Sequence, residues 1–231
     1  MRPDKADPRR HFAFRTPTRY ALWLERAGLD VLSVANNHAG DFGNIGRAST
    51  RKVLDEQEIK YAGSDRNQFS TAYLEVKGKR IAVIGFAHNS IVPNVNDLAA
   101  ARQFVLNAKK KADIVIVSFH GGAEGTSQQH VPNQTEIFVG EKRGNLPAFA
   151  HTVIDAGADL VLGHGPHVMR GMEIYKGRLI VYSLGNFCTY GWFRLEAETA
   201  LTEIAEIRIG LDGKFIGGTI HAGRQEGWGG P

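Results

Sequence analysis

Residues 159–187, DLVLGHGPHVMRGMEIYKGRLIVYSLGNF, constrain this chain more than any other stretch, because a short apolar run breaks off at a glycine that precedes two histidines. Residues 159–162 read as a buried strand, and Gly163 and Gly165 free the backbone for a sharp turn. That turn carries His164 and His167, with Pro166 stiffening the loop between them, so both imidazoles project from a rigid strand end. A second strand, 179–184, ends in Gly185 and Asn186 and brings an amide side chain to a second strand terminus. Open α/β sheets keep their chemistry at such strand ends.

The same arrangement recurs along the chain. Residues 30–35 read as a short strand that breaks into the polar cluster Asn36, Asn37, His38, Ala39, Gly40, Asp41, Phe42, Gly43, before a helix from about 44 to 56. Weak strand candidates at 59–63 and 72–76 lead through a Lys77-Gly78-Lys79 hairpin turn into a strand over 80–86, with His88, Asn89 and Ser90 just beyond its end. A helix from 96 or 97 to about 110, with Leu98, Ala101, Val105 and Ala108 facing inward, precedes a strongly apolar strand over 113–119 that His120, Gly121 and Gly122 close. Residues 121–144 show no clear period and read as a long loop. Leu146, Phe149, Ala150, Val153 and Ile154 mark a helix that Gly157 terminates. Thr16 and Pro17 signal a further helix start, a hydroxyl cap and then a proline, followed by Tyr20, Trp23, Leu24 and Ala27 at helical spacing. An aromatic-rich segment at 187–193 gives way to strands at 202–209 and 214–221 joined by Asp212-Gly213. Residues 1–15 read as an irregular start and 222–231 as an irregular tail, and residues 1–231 as one domain.

Composition narrows the class. A hydrophobic content of 42% is ordinary for a globular protein with a sizeable core. The net charge of +4 is modest, and the one basic run, Lys109 to Lys111, suits a helix C-terminus better than a nucleic-acid patch, so no nucleic-acid partner is expected. Cys188 is the single cysteine, which rules out an intrachain disulfide and a cysteine metal cluster. No window reaches the apolar length of a membrane span, so the chain as written reads as soluble.

Collected together, the strand ends supply Asn37, His38, Asp41, His88, His120, His164, His167 and Asn186. Imidazoles with amide and carboxylate oxygens form the borderline donor set that suits zinc, manganese, iron or nickel. His164 and His167 are the firmest pair, since ordering two imidazoles on one glycine-proline turn is costly without a shared partner. His11, His130, His151 and His221 lack this placement and read as surface or helix-face residues.

On the segments ANNHAGDFGNIG (35–46), VSFHGGAEG (117–125), AGADLVLGHGPHVMRGMEIY (156–175) and YSLGNF (182–187), the chain resembles the CapA/PgsA family of capsule and poly-γ-glutamate synthesis proteins, whose domain is similar to the calcineurin-like metallophosphoesterases. The resemblance implies an α/β fold, a metallophosphoesterase-like sandwich of two β-sheets flanked by helices, here lacking the family's first strand. It implies a divalent cofactor (Mn, Zn or Fe, one or two ions) and metal-assisted hydrolysis of a phosphoester or a γ-glutamyl-type amide in cell-envelope polymer metabolism. Asn37, His120, His164 and His167 match metal-binding positions, and His38 the residue acting on the leaving group. Asp41 is expected to orient His38, Glu124 to act as an acid behind the ligands, and Asn186 and His88 to contact substrate or a ligand. The partners implied are an anionic polymer or phosphoester and capsule-synthesis membrane proteins, and the implied location is the cell envelope. Two features depart from the family: Gly165 and Pro166 separate the closing histidines where the superfamily has one residue, and the glycine-aspartate and asparagine-leucine-glutamate metal motifs of the first strands are missing. The expectation is a sequence shortened at both ends, with one metal position stripped of its carboxylates. The competing expectation is a non-catalytic, polymer-binding or export-assisting subunit that keeps the fold.

Overall fold

A computed structural model of the chain describes residues 12–189 and 195–226. A 3-10 turn at Thr18–Tyr20 leads into α1 (Ala21–Arg26), β1 (Val31–Ser33), α2 (Gly43–Glu56), β2 (Lys60–Ala62), β3 (Thr71–Val76), β4 (Lys79–Phe86) and α3 (Leu98–Lys109). There follow β5 (Ile114–His120), β6 (Glu136–Phe138), β7 (Glu141–Gly144), α4 (Leu146–Asp155), β8 (Leu160–His164), β9 (Met172–Tyr175) and β10 (Arg178–Val181). A 3-10 turn at Ala197–Ala200 then precedes β11 (Leu201–Ile209) and β12 (Phe215–Arg224).

The protein is mixed α/β, built on a six-stranded sheet in the order β3-β4-β5-β8-β10-β9. Strands β4, β5, β8 and β10 run parallel, with β3 and β9 antiparallel at the edges. The parallel strands are almost continuously apolar because both of their faces are covered. One face packs on α3 and α4 through Val115, Val117, Phe119, Val161, Val105, Phe149 and Val153. Phe149 is the hinge of that layer, its ring meeting Phe86 edge-on at 5.1 Å and Phe119 at 5.6 Å. Each such buried ring contributes roughly 1.5–3 kcal/mol of burial before any ring-ring term. Against the opposite face lie two small sheets: parallel β1-β2, through Val31 and Ala62 on Ala72 and Val83, and antiparallel β11-β12, through Ile207 and Phe215 on Leu160, Leu179 and Val181.

Side chains alternate along a strand, so parity decides what each face receives. In β5 Val115, Val117 and Phe119 face the helices, which sends Ser118 and His120 to the face of the small sheets together with Ile116. In β8 Val161 faces the helices and Leu160 the other layer, which sends His164 to the same side as His120. Gly163 has to lack a side chain, since a Cβ there would run into the Phe119 ring and the Tyr182 carbonyl. Asp97 and Asn145 cap α3 and α4, accepting from Ala100 N and Ala148 N at 3.0 and 3.1 Å. Among the described residues no helix is long and apolar enough to cross a membrane.

Several sequence expectations need correction. The long loop over 121–144 contains the β6-β7 hairpin, which turns at Val139 and Gly140, both at positive φ. Residues 172–175, passed over as strand, form the edge strand β9, joined to β10 by Lys176-Gly177. Thr16 does not cap a helix: Pro17 occupies the cap of a 3-10 turn with no side-chain bond, and Tyr20 and Trp23 are exposed. Leu98 is likewise exposed, while Ala101, Val105 and Ala108 are buried as expected. Strand β12 continues to Arg224, into the expected irregular tail, because it pairs with β11 as far as Leu201. Residues 1–11 of the expected irregular start, with His11, residues 190–194 of the aromatic segment and residues 227–231 of the expected tail lie outside the described residues.

Candidate functional site

Adjacent parallel strands β5 and β8 end on the register pair His120 and His164, and the two rings meet with Nδ1 to Nδ1 at 3.1 Å. Ser118, two residues before His120 and therefore on the same face, places its hydroxyl 3.3 Å from His164 Nε2. Two imidazole nitrogens can approach so closely only if one carries the proton. If His120 Nδ1 donates to His164 Nδ1, His164 Nε2–H in turn donates to Ser118, and His120 Nε2 keeps a bare lone pair. His120 Nε2 is buried and has no hydrogen-bond partner. His88, beyond the end of β4, stacks obliquely on His120 with ring centroids 5.8 Å apart, and its Nε2 lies 3.2 Å from Glu141 Oε2.

The Gly165-Pro166 turn after β8 sets His167 at φ 59. Gly165, at φ +127, is packed so tightly on Gly121 that any Cβ would meet the Gly121 carbonyl at 2.6 Å. Asn186 fixes the His167 tautomer. Its Nδ2 donates to the carbonyls of His167 and Thr199 at 3.1 and 3.0 Å, which orients the amide and leaves Oδ1 to accept. Oδ1 is 2.7 Å from His167 Nδ1, so Nδ1 carries the hydrogen and Nε2 presents its lone pair on the side of Glu124 Oε2, 3.7 Å away. Arg143 on β7 grips Glu124 at 2.7 Å with one amino group and Glu141 at 3.0 Å with the other. Under this network the buried Arg170 pairs with Glu136 at 2.8 Å and donates to the Gln128 and Ala123 carbonyls, tying the 121–144 segment to the histidine turn.

Burial and neighbouring positive charge keep the three central imidazoles neutral. Burial holds His120 well below the usual histidine value, and the repulsion a proton there would meet from a protonated His164, His88 or His167 and from Arg143 adds to it. Burial, then His167, brings His164 down to about 4. Burial, then Arg143, lowers His88 against the opposing pull of Glu141. Neutral imidazoles with available lone pairs are the form a metal takes.

The turn after β1 supplies a second unit. His38 Nδ1 lies 2.9 Å from Asp41 Oδ2, and the same oxygen accepts the Phe14 backbone N–H at 2.9 Å. The Phe14 ring meets His38 edge-on at 4.4 Å. Asp41 is almost fully buried and thus holds the imidazole rigidly, with Nε2 as its outward atom. Asn89 Nδ2 donates to the Asn36 carbonyl at 2.7 Å, linking this turn to the end of β4. Asn37 is half-buried within it.

The structure therefore joins His88, His120, His164, His167, Glu124 and Asn186 through one chain of side chains, with His38 and Asp41 paired on the neighbouring turn. Sequence reasoning missed Ser118, Glu141 and Arg143. Ser118 was discoverable from its period-two spacing to His120, whereas the other two depended on the unrecognised hairpin. His151 and His221, read as surface residues, pair with Glu173 and Glu206. Among the described residues no group of three or more His, Cys, Asp or Glu side chains is arranged to hold a metal ion. The donors do fit part of one site: with the His120 hydrogen on Nε2 instead, the Nδ1 lone pairs of His120 and His164, 3.1 Å apart, stand about as far from each other as two nitrogens sharing an ion at roughly 2.0–2.1 Å. They do not fit a two-ion site, because Asp41, Glu124 and Glu141 are each engaged by His38, Arg143 or His88.

Comparison with known proteins places these features in a family. The chain is similar to "Capsule biosynthesis protein CapA" of Bacillus anthracis, 32% identical over 217 residues, 86% of this chain and 49% of that protein. It is also similar to "PGA biosynthesis protein CapA" of Bacillus subtilis (strain 168), 34% identical over 187 residues, 74% of this chain and 46% of that protein. The chain thus spans about half the length of these relatives. A solved structure of a candidate 5'-nucleotidase from Staphylococcus aureus aligns with a TM-score of 0.51 at 14% identity, covering 89% of this chain and 40% of that one, a likeness of fold. The family model "Bacterial capsule synthesis protein PGA_cap" matches residues 2–190, and the chain belongs to that family.

Proposed function

We propose that this member of a capsule and poly-glutamate synthesis family is a metal-dependent hydrolase that acts on a phosphoester or a γ-glutamyl-type amide of an anionic cell-envelope polymer, alongside capsule-synthesis membrane proteins. The observation that carries the reading is the pair His120 and His164, neutral and 3.1 Å apart at adjacent strand ends. These two imidazoles, with Asn37 and His167 completing the donors, would hold one divalent ion, zinc, manganese or iron. When bound, such an ion lowers the pKa of a water and clamps an anionic oxygen. His38 delivers a proton from Nε2 to the leaving group, and Asp41 holds Nδ1–H so that the ring cannot turn. Asn186 fixes the His167 ring through Nδ1, while Glu124 is held by Arg143 beside Nε2.

The test is turnover of bis-p-nitrophenyl phosphate and of a γ-glutamyl oligomer with manganese or zinc. Chelation should abolish it, and His38→Ala should lower kcat by roughly 10²–10⁴-fold. Turnover indifferent to both treatments contradicts the reading. A second reading, a non-catalytic polymer-binding or export-assisting subunit, is favoured by the engagement of Asp41, Glu124 and Glu141 with His38, Arg143 and His88, among the described residues. Polymer binding that survives chelation and His38→Ala, without turnover, decides for it.

A further inference from the structure

The β11-β12 hairpin closes the small-sheet layer on a strand, β12, whose outer side has no strand neighbour among the described residues. Gln225 N donates to the Ala200 carbonyl at 2.8 Å, whereas Phe215 N turns away from β11 and donates to Gly177 O at 2.9 Å. Counting back from Gln225 along the register with β11, Gly223, His221 and Thr219 exchange hydrogen bonds with that strand, and Ala222, Ile220 and Gly218 direct their N–H and C=O groups outward. Among the described residues no main-chain group meets them there, and residues 218–224 are all exposed. Such an edge is a template for another strand, and proteins usually blunt it with proline, charge or a cover. Residues 217–223, Gly-Gly-Thr-Ile-His-Ala-Gly, contain no proline, lysine or acid, and the register shift of the pair lies before them, opposite Arg208 and Ile209.

The face beneath this edge is also left open. Ile207 and Phe215 cover Leu179 and Val181 of β10, but the register partners of those two on β9, Ile174 and Met172, stay 53% and 38% exposed. Glu173 reaches back to His151 of α4, so by alternation Met172 and Ile174 lie on the face that the small sheets cover. Ile207 faces inward and pairs with Gly218, so Ile220 faces inward too, and it is 55% exposed. The covering layer stops one strand short of β9.

We propose that β12 of a second copy of this chain completes the layer, paired antiparallel with β12 about a two-fold axis through Ile220. The segment is complementary to itself in that register. Ile220 meets Ile220 of the second copy at the centre and Gly218 meets Ala222 on either side, all of them outward-directed pairs, for about six main-chain hydrogen bonds. Arg224, the nearest cation, stands four residues from the axis, so the two guanidiniums are roughly 27 Å apart and screened from each other beyond a Debye length of about 8–10 Å. Farther out, the register brings the exposed Glu226 towards Lys214 of the second copy at each end, opposite charge to opposite charge. The added strand lies over Met172 and Ile174. A two-fold contact consumes both edges and stops at the dimer. The pairing uses none of the site histidines and stands or falls apart from the hydrolase reading.

The experiment is sedimentation velocity of the intact chain from low micromolar to near-millimolar concentration, where a monomer-dimer equilibrium is expected. Ala222→Pro removes an outward N–H and none that β11 receives, and should weaken the dimer on the order of thirtyfold, because the two-fold deletes two hydrogen bonds at once. Ile220→Lys sets two ammonium groups face to face on the axis and should leave monomer. Ile220 is exposed, so that variant keeps the fold even if Ala222→Pro does not, and thermal melts check both. The register has its own readout. With the exposed Cys188 changed to serine, Ile220→Cys should form a symmetric interchain disulfide on mild oxidation, since the Cα atoms of a narrow pair are about 5.5 Å apart. Ile204→Cys, exposed on the opposite face of the hairpin, should not. Monomer at every concentration overturns the proposal, as does a dimer that survives both Ala222→Pro and Ile220→Lys.

Discussion

Asn186→Asp changes one amide group for an oxygen and leaves volume unaltered, yet the geometry around it makes the change severe. The nitrogen that donates to the His167 and Thr199 carbonyls at 3.1 and 3.0 Å becomes an acceptor facing two acceptors, in a site only 6% exposed. Two lost donations at roughly 1–2 kcal/mol each amount to about 2–4 kcal/mol. For a chain of this length, that lowers Tm by about 4–16 °C. The remaining oxygen still accepts from His167 Nδ1, so the tautomer is preserved and the penalty falls on stability. The introduced carboxyl regains a donor when protonated, which raises its folded-state pKa. Stability relative to the parent is therefore recovered as pH falls through that value and lost as pH rises above it. Calorimetric melts of both proteins between pH 4 and 8 measure this. Parallel curves, or a Tm within about a degree of the parent at pH 7, would refute the assigned amide orientation and with it the fixed His167 tautomer.

Other perturbations follow from the same contacts. Arg170→Met strands the buried Glu136 carboxylate and should cost about 3–5 kcal/mol, read as a drop in Tm, while adding Glu136→Leu should restore much of it. Burial holds His164 at about 4 and His120 well below its usual value, so below an unfolded value near 6.5 the unfolded chain binds more protons. Stability should therefore decline as pH falls from about 6.5 towards 4, and His164→Asn should flatten that slope in denaturant titrations.

Much of the histidine-bearing edge was legible because apolar runs that stop at Gly or His announce buried strands with exposed ends. His120 and His164 emerged from that rule, and their register pairing then followed from β5 and β8 being neighbours. What could not be read was pairing through irregular turns. The β6-β7 hairpin turns on Val139 at φ 47, a conformation β-branched residues seldom adopt, and its inward side chains, Glu136 and Arg143, are charged. A polar, periodless segment was thus mistaken for loop, and the two residues that brace Glu124 and His88 went unseen. β9 is a different failure. Lys176-Gly177 takes the same pair of positive φ angles as Lys77-Gly78, the dipeptide that marked the β3-β4 turn, so that signal was present. Asp41 lies 2.9 Å from His38, three residues away, whereas the Phe14 N–H that shares its oxygen comes from too far along the chain to be anticipated.

The most direct measurement is a titration of the chelator-treated protein with Co²⁺, followed by visible absorption and elemental stoichiometry. Saturation near one ion per chain, with ligand-field bands that disappear in both His120→Gln and His164→Gln, is the predicted result. Bands that persist in both variants, or no saturable uptake by folded protein, contradict a metal centre at the ends of β5 and β8.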